Sequence, residues 1–291
     1  MIQRRLKSLA TTVAFGGLLV LGTGPIYAQT PDHPDDQNLS VAFDVGFAPF
    51  AFKQPSGEIA GFSYDFANEI AKRLGRPGLD VVDANYSAIF AGLFSKRYEM
   101  VGAPTNITEA RAEEMLFSEP YMPTGLGILV KKGETVAGPE ALTGKTVSVN
   151  NGSTADKWLG EHESEYGYKI QRFNKNADAV QAVMMGRAYA NIADAPVSHY
   201  IATQTPTAEV AHVIDTGNNF GLAFRKDDVE FRNQVDAVIE CMKQDGGLAE
   251  IYTKWFGTAP PEGSSVTTVY PGYGAPDFAE YDATEHQPEC S

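Results

Sequence analysis

The sequence predicts an α/β protein built as two lobes, each a mainly parallel sheet covered by helices. Three observations carry that expectation. Between residues 39 and 103, strand-like runs alternate with helix-period stripes in the order βαβαβ, the pattern of parallel strands joined by helices. A second series of the same kind runs from residue 145 to residue 194. Two short apolar runs, 126–130 and 221–224, stand outside the alternation, as expected of segments that pass from one lobe to the other.

Each element has its own signal. Residues 39–43 alternate as a strand that ends at Asp44, and a loop follows to Phe52. Pro55-Ser56-Gly57-Glu58 makes a turn. Phe62, Phe66, Ile70 and Leu74 recur every fourth residue, the stripe of an amphipathic helix, with Gly75 as its stop. Val81-Val82 marks a second strand, Ile89, Phe90, Leu93 and Phe94 a second helix, and Met100 to Ala103 a third strand. In the second series, 145–149 reads as a strand and Gly152-Ser153-Thr154 opens a helix running to about Gly160. A strand at 170–173, a helix at 177–185 closed by Gly186, and a strand at 189–193 ending at Asp194 complete it. Helices at about 197–203, 230–243 and 248–255 follow. The expected boundaries are 39–123 with 219–257 for the first lobe, 126–215 for the second, and a tail at 258–291.

Composition narrows the class. With 291 residues, 43% of them hydrophobic, the chain can bury a sizeable core. A formal charge of −14 argues against a nucleic-acid partner. At the N-terminus Arg4, Arg5 and Lys7 precede a mostly apolar stretch from Leu9 to Leu21, and Ile26-Tyr27-Ala28 offers a cleavage site. Residues 1–28 therefore read as a signal peptide, which predicts export to the periplasm. The two cysteines, Cys241 and Cys290, are then expected to pair in an oxidising compartment and to pin the tail onto the helix that carries Cys241. The five histidines are scattered without ligand spacing, so neither a metal nor another cofactor is expected.

In open α/β sheets ligands sit beyond the C-terminal strand ends. The segments falling there are 44–52, Tyr86, 103–111, 150–154 and Ala193-Asp194, and two facing lobes would bring all of them into one cleft. Arg111 stands out, because a guanidinium presents a planar fork that matches both oxygens of a carboxylate. On sequence alone it could equally pair with Glu109, Glu113 or Glu114 at the surface.

Several segments, in this order and spacing, resemble the extracellular solute-binding proteins of family 3. They are Phe47-Ala48-Pro49-Phe50, Gly61 to Ala67, Ile107 to Arg111, Phe117 to Tyr121, Leu142 to Lys145, Gly152-Ser153-Thr154, Gly186-Arg187 with Asp194, and Ile251 to Gly257. The resemblance implies the type II periplasmic binding protein fold, with two Rossmann-like α/β lobes and two hinge crossings. It implies a monomer that captures an amino-acid-like small molecule and delivers it to an ABC permease, with no catalysis. Arg111 would clamp the ligand α-carboxylate, aided by amides at Ser153 and Thr154, since helix N-termini bind anions. Asp194 would take the α-ammonium, with acceptor or lining positions at Ala103 and Pro104. Phe47 and Tyr86 would sandwich the side chain, and Asp44 would reach its distal end. Phe50 reads as core. Asp44 and Asp194 have an alternative use as turn or helix caps, and Ser153 caps its helix in either case.

Departures from the family pattern bear on the ligand. Asn106 stands where Ser or Thr is usual, Pro104 removes a backbone donor, and Asn150 replaces the lysine of the glutamine receptors. Asp44 suits a cationic ligand end but also serves neutral ones, so the ligand's identity stays open. Two other classes share the resemblance. One is a periplasmic cyclohexadienyl dehydratase, for which no dedicated acid stands at a matching position. The other is an accessory protein of a quinoprotein dehydrogenase, a class that tends to lose the Arg and Asp pair present here.

Overall fold

The computed structural model describes residues 33–290; the expected signal peptide lies outside them. The chain runs through β1 (Leu39–Phe43), the hairpin β2 (Phe52–Lys53) and β3 (Ile59–Ala60), α1 (Phe62–Arg73), β4 (Leu79–Asp83), α2 (Tyr86–Phe94), β5 (Met100–Asn106), α3 (Glu109–Ala112), β6 (Leu116–Phe117) and β7 (Met122–Pro123). It then crosses into β8 (Leu126–Lys131), β9 (Thr146–Asn150), α4 (Thr154–Tyr166), β10 (Lys169–Phe173), α5 (Asn176–Met184), β11 (Ala190–Asp194), α6 (Ala195–Gln204) and β12 (Ala208–Ile214). A second crossing leads to β13 (Asn219–Phe224), α7 (Val229–Gln244) and α8 (Gly247–Phe256). Among the described residues no helix is long and apolar enough to cross a membrane.

Two sheets define the two lobes. The first has the order β4-β1-β5-β13-β6, and the second β10-β9-β11-β8-β12. They share one plan. Three strands run parallel, and the strand entering from the crossing pairs antiparallel with the third. That register places Asn106 at the end of β5 opposite Phe220, and Asp194 at the end of β11 opposite Leu126. Both residues therefore sit where a strand end meets a crossing strand.

Local chemistry explains the main elements. The stripe of Phe62, Phe66 and Ile70 on α1 is fully buried, while Asp65 in its first turn and Lys72 and Arg73 in its last oppose the helix dipole favourably. Ser153 caps α4 by accepting from the Asp156 amide, and Gly167 ends that helix in the left-handed conformation. The first core joins Phe43, Phe50, Phe62, Phe66, Tyr121, Phe220 and Phe224 and extends to Ala193 and Val197 of the second lobe, so apolar contact continues across the seam.

Three expectations about elements change. β5 continues past Ala103 to Asn106, so Pro104, Thr105 and Asn106 are buried strand positions and not loop residues. The helix after Ser153 runs on past Gly160 to Tyr166. β12 carries no strand signal in the sequence; it is a half-exposed edge strand whose pairing with β8 shifts register between Val210 and His212, which breaks its alternation.

The tail lies on the first lobe. Cys241 of α7 is bonded to Cys290, and Val266 and Ala275 enter the apolar cores. Beneath the tail is a cluster of buried charges. Lys243 and Glu119, both without side-chain exposure, form an ion pair at 3.0 Å. Lys243 also donates to the carbonyls of Pro120 and Thr268, and Glu119 accepts from the Tyr270 amide. Asp236 accepts from the amides of Glu119 and Gly274. Glu240 lies 2.8 Å from His286, whose ring stacks on Tyr273.

This cluster makes stability depend on pH. Burial, then the negative charge of Glu119, pushes the Asp236 carboxyl up to about 8 and the Glu240 carboxyl up to about 7. Each holds its proton in the folded chain at pH values where the unfolded chain has lost it. Their contribution is complete below the unfolded carboxyl value of about 4 and is lost as pH rises through the folded values. The melting temperature is therefore expected to fall between pH 6 and pH 8.5, with Asp236 alone contributing a slope of up to about 1.4 kcal/mol per pH unit. A Glu240→Gln variant should show a smaller fall. Thermal unfolding across that range checks both, and a flat or rising profile for the parent chain contradicts the assignment.

Candidate functional site

The site is assembled from strand ends. Asp44 follows β1, Asp83 ends β4, and Asn106 ends β5, all in the first sheet. Asn150 ends β9, Lys175 lies two residues beyond β10, and Asp194 ends β11, all in the second. With the lobes apposed, these ends meet face to face. Gly152 is at φ 79, and a Cβ there would come within 3.0 Å of the Ser87 backbone across the seam. Only glycine suits both the left-handed turn and that approach.

Arg111 lies in the short helix α3, which Thr108 opens by accepting from the Arg111 amide. Its guanidinium donates to the Asn106 carbonyl at 3.0 Å and, across the cleft, to the Thr154 hydroxyl at 3.1 Å. The same group stands over the rings of Tyr86 and Phe90, at 5.6 and 5.3 Å from their centroids. Among the described residues Arg111 forms no ion pair, so Glu109, Glu113 and Glu114 are not its partners.

Asp194 stands at the N-terminus of α6 but makes no side-chain capping bond. It accepts instead from the Asn106 amide at 2.8 Å and from the Thr124 hydroxyl at 3.5 Å. Burial dominates its titration and pushes the carboxyl up to about 6, against the pull of Asn106 and Arg111. A buried carboxylate without an ion-pair partner is costly unless something cationic meets it.

The remaining expected residues take distinct positions. Phe47 and Phe50 are both buried, stack at 6.1 Å between centroids and belong to the first core; Tyr86 is buried at the start of α2. The Ala103 carbonyl accepts from the Thr105 hydroxyl, and Pro104 is enclosed in the strand. Ser153 is occupied by its cap and Thr154 by Arg111. Asp44 is not a cap. Its two oxygens accept from Asn150 and from Lys175, each at 2.7 Å.

Lys175, Phe90 and Thr124 were missed. Lys175 follows the end of a parallel strand, the same signal that singled out Asn150. Phe90 lies one turn beyond Tyr86 on α2 and was read as part of that helix's apolar stripe.

A groove of about 990 Å³ lies elsewhere, beside the crossings and lined by Pro123, His199, Tyr200, Asp215, Tyr252 and Trp255 among others. Its acidic and basic side chains are exposed or already paired, as Lys254 is with Asp65. The strand-end cluster, with buried carboxylates on both lobes and half-buried cations facing them across the seam, is the stronger candidate.

Comparison with known proteins gives a consistent result. The sequence profile of the bacterial extracellular solute-binding proteins, family 3, matches residues 39–258. The L-cystine-binding protein TcyJ of Escherichia coli (strain K12) is 29% identical over 222 residues, covering 75% of this chain and 82% of that protein. Among solved structures, an ancestral arginine-binding protein bound to arginine is 33% identical with a TM-score of 0.72, covering 76% of this chain and 98% of that one. An ancestral amino acid-binding protein described as a precursor of cyclohexadienyl dehydratase is 34% identical with a TM-score of 0.69, covering 75% and 95%.

Proposed function

The chain belongs to the bacterial extracellular solute-binding proteins, family 3, and from that premise we propose that it captures a small zwitterionic solute, an amino acid or derivative, in the cleft between its lobes. One observation carries the proposal. A guanidinium, Arg111, and a buried carboxylate, Asp194, neither with an ion-pair partner among the described residues, stand on opposite lobes at the same strand-end cluster. A ligand carrying a carboxylate and an ammonium complements both.

In this account Arg111 holds the α-carboxylate with help from Thr154 and the amides at the start of α4. Asp194 holds the α-ammonium, Tyr86 and Phe47 flank the side chain, and Asn106, Asn150, Ala103 and Pro104 line the wall. A ligand touching both lobes favours the closed arrangement by its differential affinity. The lobe limits we propose are 39–123 with 219–257, and 126–215. We also propose that the protein works as a monomer in the periplasm and delivers its ligand to an ABC permease. The binding-protein character of the relatives supports that role.

A thermal-shift screen of the purified chain over the α-amino acids and their betaine derivatives tests the assignment, because a bound ligand stabilises by mass action. At least one should raise the melting temperature in proportion to the logarithm of its concentration. No shift from any of them would contradict it.

Likeness to the dehydratase precursor supports a second reading, an enzyme acting on prephenate or arogenate. Ultraviolet detection of an aromatic product after incubation with either substrate would favour it; no product is expected.

The titration of Asp194 gives a further expectation. An unpaired carboxyl that ionises at about 6 is pulled to lower pH by a bound ammonium, so binding in mildly acid solution releases a proton. Affinity should be constant between pH 7 and 8 and fall by up to about tenfold per pH unit well below pH 6. Calorimetry at pH 5, 6, 7 and 8 checks this, and equal affinity at pH 5 and pH 8 would contradict it.

A further inference from the structure

We propose that Lys175 is a built-in cation that occupies the distal end of the cleft, so that the site accepts amino acids with neutral side chains and rejects arginine and lysine. The proposal goes beyond the zwitterion site and rests on it.

Lys175 belongs to the second lobe, at the start of α5. Its ammonium reaches across the seam and lies 2.7 Å from Asp44 and 2.7 Å from Asp83, both on the first lobe. Asp44 is the buried member, at 2% exposure, and its second oxygen is taken by the Asn150 amide at 2.7 Å. Both oxygens of Asp44, the carboxylate that the resemblance assigns to the distal end of the ligand, therefore already have donors supplied by the opposite lobe. Asp83 is half exposed, and its charge is shared with solvent.

A ligand guanidinium or ammonium that sought Asp44 would have to share one carboxylate with Lys175, placing two cations within a few ångströms beside a buried carboxylate. Like charges so placed repel, and the half-buried position of Lys175 screens them less than open water would. The alternative is to expel Lys175, which breaks its bonds to two carboxylates. Burial alone would lower the Lys175 ammonium, yet its bonds to Asp44 and Asp83 hold it above its ordinary value, so it stays charged at neutral pH. It cannot yield by losing its proton. A neutral side chain meets no such penalty, and the aromatic rings of Phe47 and Tyr86 suit it. Specificity thus arises from a repulsive element aimed at one class of competitor.

The discriminating residue also links the lobes. A lysine bridging Asp44 and Asp83 adds an inter-lobe contact at the far end of the cleft from Arg111, so a neutral ligand is enclosed between an anchor for its α-groups and a closed distal wall.

Calorimetric titration of the parent chain, Lys175→Met and Lys175→Arg with the α-amino acids tests the proposal. The parent chain should bind at least one neutral amino acid and bind arginine and lysine at least about a hundredfold more weakly. Lys175→Met should improve the arginine-to-neutral affinity ratio at least about tenfold, because Asp44 is then free to receive a ligand cation. Lys175→Arg, which keeps the charge, should retain the parent preference. The proposal is overturned if the parent binds arginine within tenfold of its best neutral ligand, or if Lys175→Met leaves that ratio unchanged. If no α-amino acid binds either the parent or the variants, the zwitterion site itself is wrong and the proposal falls with it.

Discussion

An Arg111→Ala variant should fold as the parent chain does and bind the amino-acid ligand at least about thirtyfold more weakly. Truncating one member of a buried, hydrogen-bonded charge pair costs about 2–5 kcal/mol, much of it from leaving the other charge without a partner. Here that other charge is the ligand carboxylate, enclosed near Tyr86 and Phe90 where little water can replace the guanidinium. Stability should change little, since Arg111 is half-buried, its side-chain hydrogen bonds go to one carbonyl and one hydroxyl, and its contacts with the Tyr86 and Phe90 rings are at 5.6 and 5.3 Å. Calorimetry with the ligand found by thermal shift, together with circular dichroism, separates the two effects. Undiminished affinity in a folded variant would remove Arg111 from the site.

A Lys243→Met variant should lose about 3–5 kcal/mol of unfolding free energy, the cost of breaking a buried ion pair by removing one partner. Methionine keeps the length and packing of the side chain but leaves Glu119 without its counter-charge and the carbonyls of Pro120 and Thr268 without a donor. Burial already raises the Glu119 carboxyl and lowers the Lys243 ammonium, so in the variant Glu119 would take a proton and soften the loss. The double variant Glu119→Gln, Lys243→Met should recover part of the stability. Urea unfolding monitored by tryptophan fluorescence measures each; a loss below about 1 kcal/mol in the single variant would show that the pair is not the anchor of the tail.

What the sequence reveals depends on how local each signal is. The helices α1 and α7 are legible because their apolar stripes repeat along one face and pack on one core. The pairing of Cys241 with Cys290 follows from there being two cysteines in a chain read as exported. β12 escapes notice because its bulge and half-exposed residues erase the alternation. β5 is read short because Pro104 and the polar pair Thr105-Asn106 look like a loop, although antiparallel pairing with β13, which sets Phe220 opposite Asn106 and Gly221 opposite Thr105, carries the strand through them.

The charges on Arg111 and Asp194 can be singled out from strand ends and resemblance, but that neither finds an ion-pair partner among the described residues belongs to the folded chain. Lys175 is harder still. It sits 131 residues from Asp44 and looks like an ordinary surface lysine before a helix until the lobes face each other. The distal carboxylate that suggests a cationic ligand in the sequence is, in the fold, already matched by the protein's own ammonium.

Recognition of both α-groups by one site is the central property proposed for this protein. Its most direct test is a calorimetric comparison of the bound amino acid with its decarboxylated amine and its deaminated acid. The amino acid should bind one to one, and removing either group should weaken binding at least about thirtyfold, in line with the cost of a lost buried charge contact. If either analogue binds as tightly as the parent amino acid, the pairing of Arg111 with the carboxylate and Asp194 with the ammonium is contradicted.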